Sequence, residues 1–209
     1  MSLPSTYHPS RPEDFVGPAR KAADYVIKLA RLAKDSRDPL RVIFSGPVGT
    51  GKTKLATLMA KALGGCQWNL TKFNGTQVKI EEVEELSKQF HFTDLLGGYR
   101  IVQVEELHAV PAVARSRLLT LCDDLPRGWA IIGTTKLPQK QFSALVHEDT
   151  ERRYTWVEIG SPSDEEIFGL LRRNWPGIPE FSARNISTFA CGCVGRALQE
   201  ADAQLVAAA

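Results

Sequence analysis

No run of apolar residues in this chain approaches the ~18 needed for a membrane helix, so a helical span is excluded. The first residues, Met1-Ser-Leu-Pro-Ser, lack the basic and apolar regions of a secretory signal. Cysteine is scarce: Cys66, Cys122, Cys191 and Cys193. Only the last two are close, and no second pair or histidine stands at zinc spacing. The four histidines, His8, His91, His108 and His147, are scattered and form no ligand pair. A net charge of +2 is too small to argue for nucleic acid or a membrane surface. Repeats and low-complexity stretches are missing as well. These absences predict a cytoplasmic protein with reduced thiols and no membrane partner.

What is present is concentrated in one stretch. Gly46-Pro47-Val48-Gly49-Thr50-Gly51-Lys52-Thr53 has the form G-x-x-x-x-G-K-[ST], the phosphate-binding P-loop. Gly46, Gly49 and Gly51 let the backbone curl so that successive N–H groups converge on an oxyanion. Lys52 brings a mobile point charge to the outer phosphates. The Thr53 hydroxyl suits a magnesium ion bridging those phosphates. Pro47, Gly49, Thr50, Gly51, Lys52, Thr53 and Lys54 are the expected cradle for ATP.

The context fits. Arg41 to Ser45 is an apolar run suited to a buried strand. Leu55, Leu58, Met59, Ala62 and Leu63 then recur at helical spacing, closed by Gly64-Gly65. Further strands are predicted at Cys66–Phe73, Tyr99–Val104, Trp129–Gly133 and Tyr154–Ile159. A helix over Ala19–Ala33 buries Ala22, Val26, Leu29 and Ala33. A surface helix runs from about Val78 to Phe90. Another is opened by Pro111, with Val113, Leu118, Leu119 and Cys122 on its apolar side. Beyond Ser161-Pro162 the pattern is helical only. Ser163 and Glu166 form a capping box, Ser182 caps a second helix through Ala190, and a third runs from Ala197. Alternating strands and helices predict an α/β fold. Its centre is a five-stranded parallel sheet between helices, followed by a small three-helix lid. The expected boundaries are 1–18 for an extended arm, 19–161 for the core and 162–209 for the lid. At 209 residues, 43% hydrophobic, the chain can bury one substantial core plus such an appendage.

Polar residues cluster at the expected carboxyl ends of the strands, where ligands of such sheets bind. Ile101-Val-Gln-Val104 runs into Glu105-Glu106. Glu105 is the expected magnesium ligand and Glu106 the group that orients and deprotonates the attacking water. Gln103 is an unusual polar residue in that strand. Thr135, after Gly133-Thr134, is placed to hold the water or the γ-phosphate. Glu151-Arg152-Arg153 precedes the last strand. An arginine there suits the active site of a neighbouring subunit.

In this order the elements resemble the AAA+ ATPases, most closely clamp-loader subunits and the Holliday-junction branch-migration motor. The resemblance covers nearly the whole chain. Tyr7-His8-Pro9 and Val16-Gly17 resemble the clamp-loader arm that folds over the adenine, which makes Tyr7, Val16 and Gly17 expected nucleotide contacts. His8 stands where that arm carries arginine. Gly192-Cys-Val-Gly-Arg-Ala-Leu198 is similar to the lid segment bearing a second phosphate-sensing arginine. Here Gly195 occupies its place and Arg196 comes one residue later, a rotation of about 100° on a helix. Spacing to Ile159 aligns the arginine finger with Arg153, with Arg152 as the alternative. The resemblance implies Mg²⁺-dependent ATP hydrolysis in an oligomer of AAA+ subunits acting on a sliding clamp or DNA. The other reading is a nucleotide-binding scaffold or regulatory subunit that hardly turns ATP over.

Overall fold

A computed structural model of the chain describes residues 7–90, 98–146 and 153–207. Its centre is β1 (Leu40–Ser45), whose core Val42, Ile43 and Phe44 are buried. A continuous apolar run is what a parallel strand covered on both faces requires. The other strands are β2 (Leu70–Asn74), β3 (Arg100–Glu105), β4 (Trp129–Thr135) and β5 (Thr155–Glu158). All pair in parallel, in the order β2-β3-β4-β1-β5. The expected five-stranded parallel α/β sheet is therefore observed.

Helices α1 (Pro18–Ser36) and α2 (Lys52–Ala62) cover one face. Val26, Leu55, Met59, Val42 and Phe44 share a core there. On the other face lie α3 (Ile80–Gln89), α4 (Ala112–Asp123) and α5 (Gln139–Val146). Val83, Leu118, Phe142 and Ile131 form that core. The last three helices, α6 (Asp164–Asn174), α7 (Glu180–Ala190) and α8 (Val194–Ala207), pack on one another around Ile167, Leu171, Ile186 and Ala197. Among the described residues no helix is long and apolar enough to cross a membrane.

Several boundaries differ from the sequence reading, each for a local reason. The stretch expected as a strand from Cys66 begins as a turn. Asn69 Oδ1 accepts the Cys66 N–H (2.6 Å) and the Leu70 N–H reaches Cys66 O (3.0 Å), so β2 starts only at Leu70. Val113 is 69% exposed, because Ala114, Leu118, Leu121 and Cys122 supply the buried side of α4. Leu29 is half-buried beside the α1 core. Helix α5 was not anticipated: it follows Pro138, is short, and buries a single large side chain, Phe142. Helix α7 starts at Glu180 behind Pro179 rather than at a Ser182 cap. Helix α8 starts at Val194, not Ala197, because a loop carbonyl elsewhere in the chain satisfies its first N–H. The Ser163 capping box forms as expected. Ser163 Oγ accepts from Glu166 N–H (3.3 Å), and Glu166 Oε2 accepts from Ser163 N–H (2.8 Å).

Register fixes what meets at the carboxyl end of the sheet. Ser45 lies level with Thr135 and with Glu158, and Asn74 with Glu105. The P-loop, the acidic pair and the end of β4 thus converge on one edge. Phe44→Ala, at the centre of β1, is expected to cost about 3–5 kcal/mol. Val113→Ala should cost less than about 0.5 kcal/mol, as for other exposed positions. Denaturant unfolding of both variants checks the assignment of the buried faces.

Candidate functional site: a phosphate loop under an arm and a helical lid

The P-loop leaves β1 at Gly46 and enters α2 at Lys52. Its three motif glycines all take positive φ: 142° at Gly46, 80° at Gly49 and 93° at Gly51. Two of them also permit close packing. A Cβ on Gly46 would lie 2.1 Å from Ile159 O, and one on Gly49 would lie 2.1 Å from Cys193 Sγ. The second contact brings the lid down onto the loop. The Val194 N–H, first of α8, donates to Gly49 O (3.1 Å). Inside the loop, Thr50 Oγ1 and Lys52 Nζ both donate to Pro47 O, at 2.9 and 2.6 Å. Burial lowers the Lys52 ammonium from its ordinary value, while the Glu106 carboxylate and Cys193 oppose that shift.

A cavity of about 300 Å³ opens above the loop. Val48 to Lys54 form one wall, the arm residues Tyr7, Pro9, Asp14, Phe15 and Val16 a second, and Val194, Gly195 and Leu198 of the lid a third. The arm is a compact knot. Asp14 Oδ2 accepts the N–H groups of Ser10 (2.8 Å) and Arg11 (2.9 Å). Those bonds, the Ser10 N–H first, hold the Asp14 carboxyl below its usual range. Tyr7 donates its hydroxyl to Asp14 O and sets its ring edge-on to Trp175 at 5.7 Å. Burial pushes the Tyr7 phenol up to about 12. His8 Nδ1 lies 3.1 Å from Lys54 Nζ, joining the arm to the start of α2.

The structure brings together Tyr7, Val16, Pro47, Gly49, Thr50, Gly51, Lys52, Thr53, Lys54 and Glu106. All line or shape the cavity. Other expected residues lie outside its lining. Gly17 caps α1 at φ 56°; a Cβ there would lie 2.7 Å from Glu166 Oε2, so its place is the contact of arm with lid. Glu105 ends β3, and its Oε1 accepts from Gln103 Nε2 (3.2 Å). Thr135 is fully buried at the end of β4. Arg196 is exposed on α8, its backbone N–H 3.4 Å from Cys193 Sγ, while Gly195 faces the cavity. Arg153 stands just before β5, at the amino end of the sheet, with Nη1 3.3 Å from Asp123 Oδ2. Arg152 and Glu151 lie outside the described residues, as do His91 and His147.

One site residue, His108, escaped the sequence reading, and it is placed by Glu106. Glu106 takes a left-handed conformation (φ 54°), which turns the chain back after β3. Gly75 allows this: a Cβ there would lie 2.3 Å from Glu106 O. The turn sets His108 Nε2 3.2 Å from Glu106 Oε2 and His108 Nδ1 3.1 Å from Thr135 Oγ1. Nothing in the sequence marks His108, because a lone histidine two residues past an acid carries no spacing signal. Burial lowers its pKa, outweighing the nearby Glu106 carboxylate, which raises it.

The donor set suits a nucleoside triphosphate with magnesium. Positive φ at Gly46, Gly49 and Gly51 gives the loop the curl that an oxyanion cradle needs. The buried Lys52 and the Thr53 hydroxyl, side by side where the loop enters α2, offer a cation and an oxygen ligand. The tyrosine, phenylalanine, valines and leucine opposite offer an apolar wall for a base.

Residues 42–156 match the model of the AAA family, ATPases associated with various cellular activities. That match spans more than half of the chain, and the chain belongs to this family. The replication factor C small subunit of Halobacterium salinarum is 32% identical over 170 residues, covering 79% of this chain and 50% of that protein. The Holliday junction branch migration complex subunit RuvB of Chlorobium phaeobacteroides is 28% identical over 121 residues, covering 56% of this chain and 31% of its own length. Among solved structures, the RuvB Holliday junction branch migration motor of Thermotoga maritima superposes with a TM-score of 0.71. It is 20% identical and covers 92% of this chain and 63% of that one, a likeness of fold. The chain spans half or less of the two curated relatives it is compared with.

The His108 shift has a consequence for stability. Its folded pKa lies below the ordinary 6.5, so the unfolded chain binds the extra proton first. The stabilisation is complete above pH 6.5 and is lost as pH falls towards the folded value. Denaturant midpoints measured at about pH 7.5 and about pH 5 should fall more for the wild type than for His108→Asn.

Proposed function

We propose that this chain binds and hydrolyses ATP as one subunit of an oligomeric machine of the clamp-loader type, in DNA replication or repair. The observation that carries this reading is the three-walled cavity. A phosphate loop, an arm and a lid segment close on one space, and Glu106 lines it. In this reading residues 1–18 cover the adenine, 19–161 are the catalytic core and 162–209 the lid that reports nucleotide state. Tyr7 and Val16 pack the base, while Gly17 lets the arm approach the lid.

The loop amides from Val48 to Lys54 hold the phosphates behind the turn that Pro47 sets, and Lys52 balances their charge. Thr53 and Glu105 would hold a magnesium ion, which when bound would supply neutralisation of charge on the transferred phosphoryl group. Glu106 takes the proton of the attacking water. Thr135 supports that arrangement from the end of β4. Arg153 serves the cavity of the next subunit, since it stands at the opposite end of the sheet from its own P-loop. A sliding clamp or DNA is the partner that the clamp-loader relatives bring to mind.

A second reading has specific support. Arg196 lies outside the cavity lining, and Glu105 is bonded to Gln103 rather than exposed on that lining. A subunit of this build binds nucleotide and regulates an assembly while turning over little.

Titration calorimetry with ATP should show Lys52→Ala losing at least about tenfold in affinity. Glu106→Gln should keep that affinity and lose about a hundredfold or more in turnover. Equal turnover in the wild type and Glu106→Gln would leave only the second reading standing.

The role of Arg153 is checked by mixing. Arg153→Ala and Glu106→Gln proteins should each be nearly inactive alone, the first by about 10³-fold or more. Together they should recover activity, because one supplies the arginine and the other the intact glutamate. No recovery on mixing means that Arg153 does not act across a subunit boundary.

A further inference from the structure

The turn after β3 is held from several sides. The Glu106 N–H donates to Thr134 Oγ1 (3.2 Å). Arg115, nearly buried, donates Nη1 to the carbonyls of His108 (3.1 Å) and Val110 (3.2 Å). His108 is thereby fixed between the Glu106 carboxylate and the end of β4.

The hydrogen bonds along this line can run in one direction. The Leu137 N–H donates to Thr135 Oγ1 (3.1 Å). The Thr135 hydroxyl keeps one proton, which it can give to His108 Nδ1 at 3.1 Å. An Nδ1 that accepts places the ring proton of neutral histidine on Nε2. Nε2 then donates to Glu106 Oε2 at 3.2 Å. Glu106 is the one member of this line that also lines the cavity, and Thr135 has no exposed surface.

We propose that His108 is the positioning residue for Glu106, and that Thr135 acts on the reaction through His108 rather than by touching a phosphate. The inference rests on the ATPase reading, and it changes one part of it. A threonine at the end of β4 would ordinarily meet the γ-phosphate or the water. Here its hydroxyl is engaged by Leu137 on one side and His108 on the other. The bond from Nε2 occupies Oε2 of the glutamate and fixes the carboxylate plane, leaving Oε1 to take the proton of the water. A carboxylate without that bond rotates about its last torsion and spends less time in a productive orientation.

Single-turnover hydrolysis with protein in excess over ATP tests this in His108→Ala, Thr135→Val and the double variant, with melting temperatures as a check on folding. A hydrogen bond to a charged group is worth about ten- to a hundredfold. Each single variant should lose that much in the single-turnover rate constant, with affinity for a non-hydrolysable analogue unchanged within about twofold. The double variant should be no slower than the worse single one, because both break the same line. His108→Gln, which keeps a donor towards Glu106, should recover part of the rate.

Wild-type turnover in His108→Ala would overturn the proposal. So would losses that multiply in the double variant, since they would mean that Thr135 and His108 act separately. A wild type that binds ATP without hydrolysing it would sink the ATPase reading instead. The line itself is then read from the ¹⁵N imidazole signals of His108. An Nε2-protonated neutral ring that shifts in both Thr135→Val and Glu106→Gln supports it. A ring indifferent to both substitutions overturns it.

Discussion

The contact on which this molecule depends is the approach of Cys193 and Val194 to Gly49. Any side chain at Gly49 would occupy the space of the Cys193 sulfur. The Gly49 carbonyl also receives the N–H that begins α8. The phosphate loop is therefore a structural partner of the helical lid as well as a prospective anion site. Whatever moves the loop backbone moves the start of α8. The pair is a short mechanical link between the end of β1 and three helices with a core of their own.

A second link runs through the arm. Tyr7 packs against Trp175 of the lid region, and Gly17 admits Glu166 and Pro162. The arm thus touches both the loop, through His8 and Lys54, and the lid. The cavity between them is closed by three segments far apart in sequence. Such a pocket forms only after the sheet and the lid have folded. A segment whose hydrogen bonds are largely its own, such as the Asp14 knot, costs little extra ordering at that stage.

Much of this was legible in the sequence because it depends on local chemistry. Glycines that need positive φ, an apolar run that must be buried on both faces, and the Ser163 capping box each have one satisfactory solution. What stayed hidden depends on distant partners. Val113 looks like a core residue in its own helix, and only the packing of α4 shows that Ala114 and Leu118 take that role. The start of α8 at Val194 is set by a carbonyl some 145 residues earlier in the chain. His108 reaches the site because Glu106 turns left-handed beside Gly75, a contact between two strand ends. Glu105, Arg196 and Gly17 fit a motif by spacing but are not among the residues that line the cavity.

The placement of Arg153 at the amino end of a sheet whose phosphate loop sits at the carboxyl end has a consequence for symmetry. If Arg153 serves a neighbouring site, one chain offers a donor face and an acceptor face that are different surfaces. On the proposed role of Arg153, two identical copies related by a two-fold axis would set like faces together and complete neither cavity. Only head-to-tail stacking works, and it either closes into a ring or runs on as an open arc. In an arc, the copy at one end keeps a cavity with no arginine to complete it. The number of competent sites then falls one short of the number of subunits, so ring closure itself would switch on the last one.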